Sequence, residues 1–229
     1  MALRYDYSVT PGDRLGRPLA KELAALFSSA YGKWSRRSPV NPGGRIRLGA
    51  DYYLKNYGNG LFRIATCRAG TRLIAQAVYL ERDTPRGRVS LVVQLVVDAE
   101  FRRQGVATTL LHAIWGFSDF YAWGIVTSSP CTVEALEAAT FRRCNAGLIS
   151  RRAAFVAREV LARVPFLASA PWRTDGSSSA VDRRYTSGEI EGFAEKAGLK
   201  VVMRRFVRSG FSEDLAEADG KEILVIAKK

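Results

Sequence analysis

Residues 88–111, RVSLVVQLVVDAEFRRQGVATTLL, place the tightest limit on how this chain folds. Leu91–Val97 is a nearly continuous aliphatic run broken only by Gln94, the composition of a strand buried on both faces. The stretch from Gly105 onward reads as a helix carrying Leu110 and Leu111. The charged knot DAEFRRQGVA between them leaves room only for a tight strand-to-helix turn. The first turn of a helix leaves its amides unpaired, so N–H groups across Arg102, Arg103, Gln104, Gly105, Val106, Ala107 and Thr108 would face one space. With the positive end of the helix dipole behind them, they make a nest for an anion. Gly105 lets a ligand approach the backbone, Ala107 keeps the next turn small, and the two arginines add charge. A pyrophosphate is the natural guest; a helix start with solvated arginines would use the same residues.

The surroundings supply context. Pro18–Tyr31 carries a helical stripe, the segment SRRSPVNPGGR breaks structure, and Ala50–Tyr57 reads as a short helix ending at Gly58. Leu61–Arg68, Arg72–Arg82 and Arg88–Val97 are strand-like runs joined by short turns, which predicts an antiparallel meander. An amphipathic helix follows over Phe101–Phe117, then a strand at Gly124–Thr127. Residues 132–164 are helical by composition, two helices broken near Asn145–Gly147, and APWRTDGSSSAVD (170–182) reads as an exposed loop. Thr186–Gly198 opens with a capping signature and ends in glycine, and Leu199–Val207 and Lys221–Lys228 read as strands.

Composition narrows the function. The chain has 229 residues and 35 Lys+Arg against 22 Asp+Glu, a net charge of +13, which favours anionic ligands or partners. No apolar run is long enough to cross a bilayer, and the N-terminal stretch lacks the apolar core of a signal peptide, so a cytoplasmic, membrane-free protein is expected. Cys67, Cys131 and Cys144, with the single His112, have no zinc-knuckle spacing, and no metal site is expected.

Arg102-Arg103-Gln104-Gly105-Val106-Ala107 resembles the R/Q-x-x-G-x-G/A acyl-CoA motif of the GCN5-related N-acetyltransferase (GNAT) superfamily. The strand ending at Val97-Asp98 and the helix bearing Leu110-Leu111 sit where that family has them, and the likeness covers about residues 20–130 well and about 186–229 more loosely. It implies an α/β (α+β) GNAT fold: a mixed, mostly antiparallel central sheet flanked by helices. It implies one domain over residues 1–229, with 131–185 a helical insertion after the fifth strand. It further implies acetyl-CoA, or another acyl-CoA, lying where the fourth strand splays from the fifth. The thioester carbonyl would then bond the backbone near Val97, and the amides from Gln104 to Thr108 would take the pyrophosphate. The activity implied is transfer of an acetyl group to an amine by direct attack.

The same comparison exposes a gap. Many members place a glutamate on the fourth strand, where this chain offers Ser90 and Gln94, neither of them a base near neutral pH. Gln94 either orients a water or the acceptor, or is structural. Many also carry a tyrosine acid on the helix after the fifth strand. The helix beginning at Ser129-Pro130 has Leu136 and Phe141 instead, and the one at Ser187–Gly198 has Ala194. Tyr185, Ser129, Cys131 or solvent would have to move the protons. The acceptor is open: a charged tRNA, other nucleic acid, an acidic protein or a small amine, in a monomer or a homodimer. A non-catalytic module that binds nucleic acid through a basic face is the alternative.

Overall fold

The computed structural model describes residues 4–34, 41–116, 118–127 and 129–144, positions 155, 158, 159 and 164, and the backbone of 177–179, 185–187 and 221–228. The expected meander is its centre: β3 (Phe62–Ala69), β4 (Arg72–Thr84) and β5 (Gly87–Val97) pair antiparallel in succession. Gly70 and Gly87 turn the chain at positive φ, 60° and 114°, conformations that only glycine adopts without strain. β4 is buried at every position from Leu73 to Leu80, so both faces of the sheet are covered there. Two helices provide the cover: α1 (Arg17–Ala30), which packs with α2 (Ala50–Tyr57), and α3 (Val106–Trp115), which packs with α4 (Pro130–Thr140).

Three further strands complete the main sheet: β1 (Tyr5–Pro11), β6 (Ala122–Thr127) and β9 (Lys221–Lys228), with the short β7 (Ser177–Ser179) beyond. The order is β1-β3-β4-β5-β6-β9-β7, and every neighbouring pair is antiparallel except β5–β6. A separate two-stranded ribbon pairs β2 (Gly32–Trp34) with β8 (Tyr185–Ser187). The architecture is the mixed, mostly antiparallel sheet flanked by helices that the sequence led us to expect.

Four details differ from the sequence expectations. β1 and β2 had not been anticipated. β1 is an edge strand, with Ser8 bonded side chain to side chain to Thr66 on β3 (2.8 Å), so its polar residues hid it. α3 starts at Val106 rather than Phe101, because Arg103 (φ 61°) and Gly105 (φ 79°) are both left-handed and no right-handed helix runs through them. α4 follows β6 directly and packs on it, so the first residues of the anticipated 131–185 insertion form a helix against the main sheet. β8 occupies Tyr185–Ser187, where a helix start had been expected; the remainder of 188–198, and 199–207, lie outside the described residues.

Candidate functional site

A slip in strand register creates the site. Val78 of β4 stands opposite Gln94 and its neighbour Tyr79 opposite Val92, so Val93 is an extra residue, a β-bulge that bends β5. β5 pairs with β6 only from Val89–Ala122 to Val92–Ile125. Past the bulge the two strands part, while β6 stays paired with β9 through Thr127–Ile223. The wedge between Gln94–Val97 and Val126–Thr127 widens into a cleft of about 620 Å³, closed by the C-terminal end of α1, the loop before α3 and the inner face of α4.

The α3 N-terminus opens into this cleft. Gly105 is its N-cap, no side chain caps it, and the first helical bond runs from Thr109 N–H to Gly105 C=O (2.9 Å). The amides of Val106, Ala107 and Thr108 precede that bond, and these three residues border the cleft. A Cβ built on Gly105 meets nothing within 4 Å, so the space above the turn is open. These features fit a bound phosphate or pyrophosphate.

The charged side chains of the knot have structural duties. Arg102 donates from Nε to the Val97 carbonyl (3.1 Å) and from Nη2 to the Ala30 carbonyl, tying the end of β5 to the end of α1. It therefore shapes the cleft mouth instead of presenting its guanidinium to the nest. Gln104 donates to the Glu100 carbonyl (2.7 Å) and accepts from Tyr5 (3.4 Å). Arg72 braces the same loop through Asp98 (2.7 Å) and Glu100 (2.6 Å). Arg103 crosses to α4, where Nη1 meets Glu134 Oε2 at 2.7 Å and lies 3.8 Å from Cys131 Sγ. The Glu134 carboxylate pushes the Arg103 guanidinium to a still higher pKa, so it stays charged.

On the opposite wall the polar residue of β5 is locked. Gln94, 5% exposed, accepts at Oε1 from Tyr53 Oη (2.6 Å) and from Gln76 Nε2 (2.9 Å), and Gln76 also donates to Tyr53 Oη (2.6 Å). Burial raises the Tyr53 hydroxyl far above the usual phenol range, so it remains a donor. Tyr53 and Tyr57 belong to an edge-to-face cluster with Tyr52 and Phe62, whereas Tyr31 stacks on Phe27 and borders the cleft.

The cleft gathers most of the residues singled out from sequence: Gln94, Val97, Arg102, Arg103, Gly105, Val106, Ala107, Thr108 and Ser129 all border it. Ser129, the N-cap of α4, is buried, and its N–H donates to Thr127 Oγ1 (3.0 Å). Tyr185 lies in the ribbon, opposite Trp34 in register. Among the arginines of residues 131–185, Arg142 and Arg143 reach the cleft rim, and Arg143 pairs with Glu137 (2.8 Å). Arg158 pairs with Glu159, while Arg151, Arg152 and Arg163 lie outside the described residues. Gln76, Glu134 and the bond from Tyr53 to Gln94 were not foreseen. Each acts through a partner far away in sequence, and no local pattern announces them.

No family model matches the chain, and no curated protein matches it. Among solved structures, an aminoglycoside acetyltransferase from an uncultured soil metagenomic sample aligns at 12% identity and TM-score 0.36, over 48% of this chain and 66% of that one. The chain thus spans just under two thirds of that protein. A diaminobutyrate acetyltransferase from Paenibacillus lautus, in complex with its substrate and coenzyme A, aligns at 14% identity and TM-score 0.38, over 60% and 73%. A GNAT-family acetyltransferase from Streptococcus pneumoniae aligns at 11% identity and TM-score 0.39, over 58% and 82%.

Proposed function

We propose that this protein is an acyl-CoA-dependent N-acyltransferase of the GNAT superfamily, with acetyl-CoA as the donor. One observation carries the reading: the strand bulged at Val93 and the uncapped N-terminus of α3 open into the same cleft. A bound acyl-CoA would supply an activated carbonyl. The amides of Val106–Thr108 would hold its pyrophosphate, and the parted strands would admit its extended arm between Leu95–Val97 and Val126–Thr127. With neither a glutamate on β5 nor a tyrosine on α4, catalysis rests on orientation and on charge stabilisation. The chain is read as one domain whose inserted segment begins after α4.

For the acceptor, the net charge of +13 and the rim arginines Arg142 and Arg143 support an amine carried by an acidic partner, such as a tRNA or an acidic protein. A basic face that merely holds nucleic acid would show RNA binding with a steep salt slope and no acyl-CoA turnover. Calorimetric titration with CoA tests the main reading. The wild type binds, and Gly105→Glu, which sets a carboxylate above the nest, does not. A wild-type protein with no affinity for CoA refutes it.

A further inference from the structure

Gln94 is anchored at one end and open at the other. Both donors that reach it, Tyr53 Oη and Gln76 Nε2, end on Oε1. Nε2 has no partner among the described residues and is not sealed from the cleft that Gln94 borders. The opposite orientation of the amides would bury the Gln76 NH2 with nothing to accept from it. In the observed orientation the orphan at fully buried Gln76 is the carbonyl Oε1, the cheaper group to leave unpaired. The network therefore turns Gln94 into a side chain that can only donate to a ligand, fixed at the point where β5 leaves β6.

A donor-only group cannot help the nucleophile. An attacking amine must keep its lone pair for the carbonyl carbon, and a hydrogen bond to that lone pair would block it. The partner that gains is the thioester. As the C–N bond forms and the C–S bond breaks, electron density gathers on the carbonyl oxygen before the sulfur leaves as thiolate. The amine then loses one proton to solvent and the thiolate takes one up. We infer that the Gln94 side-chain amide is a preorganised hydrogen-bond donor to the acyl carbonyl oxygen, held by Tyr53 and Gln76, on the strand where the family resemblance would expect a base. This rests on the acyl-CoA reading above.

The experiment compares two ligands that differ only in that carbonyl. CoA and acetyl-CoA are titrated calorimetrically, without an acceptor, into the wild type, Gln94→Glu and Gln94→Met. Glutamate keeps an oxygen for Tyr53 and Gln76 but replaces the donor facing the cleft with an acceptor. Methionine repeats the loss of the donor without adding charge. The wild type prefers acetyl-CoA, and in both variants that preference falls about three- to tenfold while CoA affinity stays within about twofold. An unchanged preference in both variants overturns the inference and leaves the acyl-CoA reading standing. Equal losses for both ligands overturn it too, since Gln94 would then only support the cleft wall. Absence of CoA binding by the wild type removes both.

Discussion

Arg102→Lys separates a structural role for the knot from a ligand-binding one. The native guanidinium spans two carbonyls on different elements, Val97 at the end of β5 and Ala30 at the end of α1. A lysine ammonium has no second, divergent nitrogen with which to hold both. A hydrogen bond from a charged donor is worth about 1.5–3 kcal/mol when it is lost in a buried setting. Both carbonyls border a cleft that water enters, so part of that is recovered, and a net loss of about 1 kcal/mol is expected for lysine and about 2 kcal/mol for alanine. For a chain of this size each kcal/mol moves the melting temperature by about 2–4 °C, giving shifts of about 2–4 °C and 4–8 °C. Scanning calorimetry and urea unfolding of the ligand-free protein measure them, with an unchanged m-value showing that the unfolded state is the same. A lysine variant that melts within about 1 °C of the wild type yet binds CoA tenfold more weakly would refute the argument, because the guanidinium would then be serving the ligand.

Two further outcomes are expected. Glu134→Gln releases Arg103 beside the nest, and CoA affinity rises about two- to fivefold at low salt, a gain that shrinks as salt is added and is read by titration at two ionic strengths. Burial raises the Tyr7 hydroxyl from 10.0 to about 12 and also lifts Tyr53, Cys67 and Cys144, so the unfolded chain gives up these protons first. Their contribution to stability is complete below about pH 9 and declines as pH climbs toward 12; melting temperatures across that window should fall steadily, and a flat profile would contradict the assigned burial.

The meander and the strand-to-helix turn were legible in the sequence because both are written in neighbouring residues. α2 (Ala50–Tyr57) and β9 (Lys221–Lys228) were expected over the very spans observed, and β3, β4 and β5 within one or two residues at each end. β1 escaped because an edge strand needs little apolar patterning; only Tyr5, Tyr7 and Val9, two residues apart, hint at it. The start of α3 was placed too early because left-handed φ at Arg103 is set by the turn it must make and not by its own preference. The site divides the same way. The turn at Gly105 could be read directly. The roles of Arg102 and Arg103 could not, since Arg102 is tied to Ala30, 72 positions away on α1, and Arg103 to Glu134, 31 positions away on α4. Gln94 was noticed as the odd polar residue in an apolar strand, but Tyr53 and Gln76, which decide what it can do, come from elements that only the folded sheet brings together.

The parting of β5 and β6 also bears on how the chain reaches its native state. One wall of the cleft, β3–β4–β5, closes by two tight hairpins, contacts that form early because little chain entropy is lost. The facing wall, β6, shares just four residue pairs with β5, and along its far edge Ala122 pairs with Lys228, across nearly half the chain. Such a long closure is slow, so the turn before α3 should take shape before the wall opposite it is secured. Until β9 arrives, β6 presents an open strand edge, and that interval is when the protein is most exposed to mispairing with another chain.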